Sequence, residues 1–402
     1  MSSPSGPAPS AAPQEPQGPL AGVRVVALEQ SVSGPLASRL LADMGADVIK
    51  VEPLQGDFSR HWDAHVHGQS SYFTWLSRRK RSIALNLREP EQRAIFDRLL
   101  ESSDVLVFNL AVAAAERAGL TPERLTADHP RLITCQISGY GRVGRSRHRR
   151  AYDMMLQAET GALALTGDDA GPVRIGVSLA DIGTGLYALS LILAALYERT
   201  RTGQGRFVDI SMFEAMTEFA APNLTAYANA GIKHARHRSR HHAIVPYGVF
   251  PCQGGHIAIA VEQDAEWLRF CHEVIRRPDL AAREDLAHNQ QRLERRPEVE
   301  GEVEREFALH PASEWQSRLE AAGIAFGIIN GIEAVWGHAV EEDLQLHSTV
   351  IFADGFKAQV PRSAAERAFG RIGPGRLPDV DQHRAEILDE IGLGPHSSTD
   401  EG

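Results

Sequence analysis

The residue whose type and setting most suggest chemistry is an aspartate. Asp181 stands in the run VSLADIGTG, where a polar, glycine-bearing turn gives way to a long apolar segment. That setting predicts the first turn of a helix. An aspartate there can cap unpaired backbone N–H groups. It can also act as a nucleophile, because the helix dipole keeps a carboxylate ionised. Gly183 and Gly185 are poor helix formers where the helix must nucleate. Small residues beside the carboxylate predict room for a substrate to approach.

Two runs of cations accompany it. Arg78, Arg79, Lys80 and Arg81 precede one apolar run, and Arg142, Arg145, Arg147, Arg149 and Arg150 fill a loop after another. A single run reads as a solvated face. Two, in loops beside strands of one sheet, point to a ligand with several phosphates. The loop KHARHRSRHH, residues 233–242, is basic and histidine-dense. The turn in SVSGPLASRLLADMG has no GxGxxG, and Pro35 stands where close backbone approach needs a glycine, which disfavours a nicotinamide dinucleotide. Cys135, Cys252 and Cys271 lie far apart with no CxxC. They predict buried thiols, a reducing and therefore cytoplasmic setting, and no zinc cluster.

The elements that must hold these groups follow from length and pattern. The chain has 402 residues, 43% hydrophobic and 23% charged, which excludes wholesale disorder and a collagen-like repeat. A net charge of −10 gives no global attraction to nucleic acid or to an anionic membrane. No apolar run reaches the ~18 residues of a membrane span. The longest apolar stretch, around Leu189–Leu196, belongs inside a helix. Residues 1–19 and 394–402, rich in Pro, Ser and Gly, read as tails without the marks of a signal peptide.

Between the tails, Val23–Leu28, Leu36–Met44 and Asp47–Glu52 read as strand, helix and strand. Ser82–Leu87, Asp104–Asn109, Leu132–Ile137 and Phe207–Ser211 add strands, with helices at Glu89–Ser102, Asp181–Thr200 and Met212–Asn229. The alternation predicts a doubly wound, mostly parallel sheet. After Gly231 a hairpin around Gln253-Gly254-Gly255 and helices at 264–276 and 299–321 predict a small α+β domain. The expected division is a large domain at 20–225, a small one at 226–325, and a return segment at 326–393.

The runs LAGVRVVALEQSVSGPLASRLLADMGADVIKVE, RRKRSIALNL, LITCQISGYG, AYDMMLQAETGALALTG, SLADIGTG and GRFVDISMFEA, in this order, resemble a class III CoA-transferase. This is the family of the formyl-CoA:oxalate and carnitine enzymes, and the likeness extends from about Leu20 to Leu393. It implies a Rossmann-like large domain, a small α+β domain and an interlocked homodimer. It implies coenzyme A as substrate, with no metal and no other cofactor. Asp181 matches the family's nucleophile, which forms acyl anhydride and aspartyl-CoA thioester intermediates. The resemblance places CoA against Gln30, Ser31, Val32 and Ser33, against Leu85 and Arg88, against Asn109, Leu110, Ala114 and Arg117, and against Arg150 and Tyr152. Val32 stands where the formyl-CoA enzyme has a glutamine, and Arg150 where a lysine is found. Racemases of the same fold carry a catalytic histidine at the position of Tyr152, and a tyrosine of pKa ~10 is a poor base at neutral pH. A racemase and a non-catalytic CoA-binding scaffold are the alternative readings. The nearest likeness is to members that use succinyl-CoA and C4–C5 dicarboxylates such as itaconate, mesaconate or citramalate. That implies a second cationic site, for which Arg238, Arg240 and His241 are the candidates.

Overall fold

Short, β-branched, buried runs build the main sheet: Arg24–Leu28 (β1), Asp47–Glu52 (β2), Lys80–Ala84 (β3), Val105–Phe108 (β4), Ile133–Ser138 (β5) and Phe207–Ser211 (β6). The computed structural model describes residues 18–370 and 373–394. The two expected tails fall outside this range apart from residues 18, 19 and 394. All six strands pair in parallel, in the order β3-β2-β1-β4-β5-β6. The order reverses between β1 and β4. Chain leaving the carboxyl ends of these two strands therefore diverges and opens a crevice.

Burial on both faces explains why β1 and β4 read as near-continuous apolar runs, while β2 and β5 set buried polar residues such as Lys50 and Gln136 among apolar ones. One face packs Val26, Ile49, Leu106 and Phe108 on Phe96, Leu99 and Leu100 of the helix Pro90–Glu101. Against the other lie Ser33–Asp43 (α1), Asp153–Glu159 (α2), Leu179–Thr202 (α3) and Met212–Phe219 (α4), which contact one another and the sheet.

Contacts divide the described chain into two units, one of residues 18–160, 176–221 and 344–394, the other of 161–175 and 222–343. The second holds an antiparallel sheet of Tyr247–Cys252 (β7), Gly255–Ala260 (β8) and Ala325–Ile328 (β9). Its core joins Phe250, Phe270, Phe307 and Trp315.

Three expectations need correction. The helix expected over Met212–Asn229 breaks after Phe219 and resumes at Ala221–Ala230. Pro222 lacks the N–H that a continuous helix would use. Pro311 likewise divides the segment 299–321 into Arg296–Phe307 and Ala312–Ala322. Finally, α3 is long and apolar enough, by length and composition, to cross a membrane. Small residues dispersed among its large ones hide this from a search for one unbroken apolar run. In the fold its Ala188, Leu189, Ile192 and Ala195 are buried core.

Candidate active site

The crevice begins at the turn between β1 and α1. Asn109, just past β4, clasps this turn. Its side-chain carbonyl accepts the Gln30 N–H at 2.9 Å, and its amide donates to the Gln30 carbonyl at 2.7 Å. Ser31 is held at φ +66°, a left-handed conformation that disfavours a non-glycine residue. Gly34 sits in a tight space: a Cβ there would lie 3.1 Å from the Glu29 Cβ and 3.3 Å from the Asn109 Cγ. Below the turn, buried Glu29 accepts from Lys80 at 2.5 Å and Ser38 at 2.6 Å. Lys80 also donates to the Pro35 carbonyl in the first turn of α1, at 3.1 Å. Burial pushes the Lys80 ammonium down to about 8, against the pull of Glu29. Lys50 bonds Asp57 at 2.8 Å and the Glu29 carbonyl at 3.1 Å.

This network overturns one expectation. The run Arg78–Arg81 is not a phosphate site. Arg78 bonds Asp43 and Glu366, Arg79 bonds Glu366, Lys80 bonds Glu29, and Arg81 bonds Asp47, Glu386 and Glu390. The run opens the sheet's edge strand β3, and its partners come from the turn after β1, from α1, from β2 and from the carboxyl-terminal segment. Most are remote in sequence, so local spacing could not reveal the pairing.

Two cavities adjoin at the carboxyl ends of the strands. The larger, about 810 Å³, is lined by Leu85, Arg88, Ala114 and Arg117. The smaller, about 350 Å³, is lined by Ser31, Ser33, Asn109, Arg150, Tyr152 and Asp181. Gln30, Phe58 and Leu110 belong to both walls. Val32 lines neither, being buried at the residue before α1. Arg88, Arg117 and Arg150 are exposed and form no ion pair among the described residues, whereas neighbouring Arg149 pairs with Glu159 and lies 4.3 Å above the Tyr140 ring. Unpaired cations on a cavity wall are available to an anionic ligand.

Arg238, Arg240 and His241 lie in the second unit and line neither cavity. The Arg240 guanidinium sits 3.5 Å over the Phe250 ring and bonds Glu304 at 2.5 Å and the Val249 carbonyl. His241 stacks on Tyr247 with ring centres 5.0 Å apart. Burial, aided by Arg296, holds its pKa below the ordinary imidazole value. Arg238 adopts φ +55° beside them.

Asp181 is the third residue of α3 and half-buried. The glycines after it do not make room for a substrate, contrary to expectation. A Cβ on Gly183 would strike the Phe219 ring at 2.4 Å, and one on Gly185 would lie 2.8 Å from the Ser33 carbonyl oxygen. They let α3 press against α4 and the first turn of α1, which ties the helix of Asp181 to the turn held by Asn109. Local pattern did not single out Asp153 and Gln157, four residues apart on α2. Asp153 accepts the Ala180 N–H at 2.8 Å and the Gln157 amide at 2.8 Å. Among the described residues no three His, Cys, Asp or Glu side chains converge as a metal ion would need.

A six-stranded parallel sheet with a cation-lined crevice at its switch point defines an α/β protein built to hold a long anionic ligand. Residues 20–384 match the CoA-transferase family III model, and the chain belongs to that family. It is 32% identical over 385 residues to the succinyl-CoA:glutarate CoA-transferase of Mus musculus, covering 93% of this chain and 86% of that one. It is 32% identical over 395 residues to the succinyl-CoA:mesaconate CoA-transferase of Haloarcula hispanica, covering 94% and 97%. A solved CAIB/BAIF family protein from Brucella suis shares the fold with a TM-score of 0.77 and 30% identity, over 94% of this chain and all of that one. Family membership makes the chain a CoA-transferase that takes CoA thioesters and carboxylic acids as substrates.

Proposed function

We propose that the enzyme moves CoA from succinyl-CoA to a C4–C5 dicarboxylate, such as itaconate, mesaconate or citramalate, with Asp181 as the nucleophile. One observation carries the reading. Asp181 lines the same cavity as the unpaired Arg150, and that cavity shares walls with the one lined by Arg88 and Arg117. A CoA thioester carries its phosphates far from its reacting carbonyl, and such a crevice suits both ends. The names of the two relatives, each pairing succinyl-CoA with a dicarboxylate, support the choice of acids.

The chemistry balances without any further group. The Asp181 carboxylate attacks the thioester carbonyl and expels CoA thiolate, leaving an aspartyl–succinyl anhydride. A thiolate whose acid has a pKa near ~8.5 leaves readily, so no general acid is required. The thiolate then attacks the aspartyl carbonyl, releasing succinate and forming an aspartyl-CoA thioester. The acceptor carboxylate attacks that thioester and expels the thiolate, which takes the acyl group from the second anhydride and regenerates Asp181. The amino end of α1, with Ser33 in the wall and no acid in its first turn, suits the negative charge that builds on each carbonyl oxygen.

A homodimer belongs to the same proposal. Ile328, Ile329, Ile332, Val335, Trp336 and Val340 are all exposed, and the helix Ala221–Ala230 buries no residue. A second copy covering these apolar residues would stabilise them. The experiment for the substrates is a chromatographic screen of CoA exchange among succinate, glutarate, itaconate, mesaconate and butyrate. Diacids should exceed butyrate at least tenfold, since a site that pairs the second carboxylate with a cation rejects an analogue lacking it. Equal use of butyrate and the diacids by the native enzyme rejects the substrate assignment.

A further inference from the structure

The first turn of α3 is capped from outside its own segment. Ser178 occupies the N-cap position, yet its side chain makes no bond to the turn. Asp153 on α2 supplies the bond, through Oδ1, to the Ala180 N–H at 2.8 Å. Its other oxygen accepts the Gln157 Nε2 at 2.8 Å, and the same nitrogen reaches the Val177 carbonyl at 3.4 Å. Asp153 is 7% exposed and Gln157 is fully buried. The pair therefore grips the turn 177–180, the residues immediately before Asp181.

A cap at Ser178 would fix where α3 begins but not where it lies relative to α2. A cap from α2 fixes both. Tyr152 directly precedes Asp153, and Tyr152 and Asp181 line the same cavity. The bond from Asp153 to the residue before Asp181 thus couples two walls of one site. Attack on a thioester needs the carboxylate within ~3–3.5 Å of the carbonyl carbon and aligned with it, and a displacement of ~1 Å costs on the order of 100-fold in rate.

We propose that Asp153 is a positioning residue for CoA transfer, its carboxylate holding Asp181 in attacking geometry by capping α3 at Ala180. This rests on Asp181 being the nucleophile, as proposed above. The test compares Asp153→Ala, Asp153→Asn, Gln157→Met and Asp181→Ala in the full chain, by steady-state transfer from succinyl-CoA and by thermal melting. Asp153→Ala should lower kcat roughly 10–100-fold, with KM for the thioester within about threefold, because no CoA contact is removed. Asp153→Asn should restore most of kcat, since its side-chain oxygen still accepts the Ala180 N–H. Gln157→Met, which frees Asp153 from its own anchor, should lower kcat by a smaller factor, and it keeps the proposal testable should Asp153→Ala not fold. Native kcat in both Asp153→Ala and Gln157→Met, beside an inactive Asp181→Ala, overturns the positioning role alone. So does an Asp153→Asn variant as impaired as Asp153→Ala, or a loss confined to KM. Activity in Asp181→Ala overturns the nucleophile and this proposal together.

Discussion

Replacing Asn109 with alanine should loosen the turn that forms the inner wall of both cavities. The side chain makes two short bonds to one residue, accepting the Gln30 N–H at 2.9 Å and donating to its carbonyl at 2.7 Å. Each is worth about 0.5–1.5 kcal/mol net, so their loss removes roughly 1–3 kcal/mol of order from the turn. Ser31 aggravates the effect. Its left-handed backbone stores about 1–3 kcal/mol that the clasp now opposes, and relaxation would carry Ser31 and Ser33 out of the wall. If the bound ligand must restore that order, affinity for a CoA thioester falls about 5- to 150-fold, at 1.4 kcal/mol per factor of ten. Titration calorimetry with CoA or a non-hydrolysable thioester analogue measures this directly, with melting as a check on folding. A variant that melts normally and binds CoA within twofold of the native protein would refute the reasoning. It would mean that the network of Glu29, Lys80 and Lys50 holds the turn alone.

Three further outcomes are expected. Arg88→Ala, Arg117→Ala and Arg150→Ala should each raise KM for acyl-CoA by about tenfold or more per lost charge-assisted bond, with kcat little changed. If thioesters of CoA and dephospho-CoA respond identically to all three, none of these arginines reads the 3′-phosphate. Gly185→Ala should lower both the melting temperature and kcat, because its Cβ would stand 2.8 Å from the Ser33 carbonyl oxygen; an unchanged melting curve contradicts the packing role. Acid stability follows from Glu52, Asp57 and Glu366. Burial alone would raise their pKa values, but Arg60 at Glu52, Lys50 at Asp57, and Arg78 with Arg79 at Glu366 prevail and hold them below the ordinary carboxylate range. Because the folded values are the lower ones, this stability is fully present above pH ~4–5 and is lost as pH falls below that range. Melting should be flat in pH above ~5 and drop steeply below ~4, and Glu52→Gln should flatten the drop.

What could be read in advance divides along a physical line. The strands were legible because burial on both faces writes continuous β-branched runs. The place of Asp181 in the first turn of a helix was legible because a helix start leaves a local composition signature. The residues expected to meet CoA come together, Val32 aside, because they follow strand ends, where an α/β sheet gathers its loops. Long-range pairing was not legible. Arg78 and Arg79 look like a free basic run until Glu366, nearly 300 residues away, is brought beside them. Gly183 and Gly185 look like open space until Phe219 and Ser33 arrive. Asp153 looks like an ordinary helix-start acid, yet it caps a different helix.

The account turns on the covalent role of Asp181, and mass spectrometry of peptides from protein quenched during turnover with succinyl-CoA tests that role most directly. The account expects a CoA adduct on the peptide containing Asp181, localised to that carboxylate and absent from Asp181→Ala, which should transfer no CoA. A CoA adduct on another carboxylate, or undiminished transfer by Asp181→Ala, would contradict it.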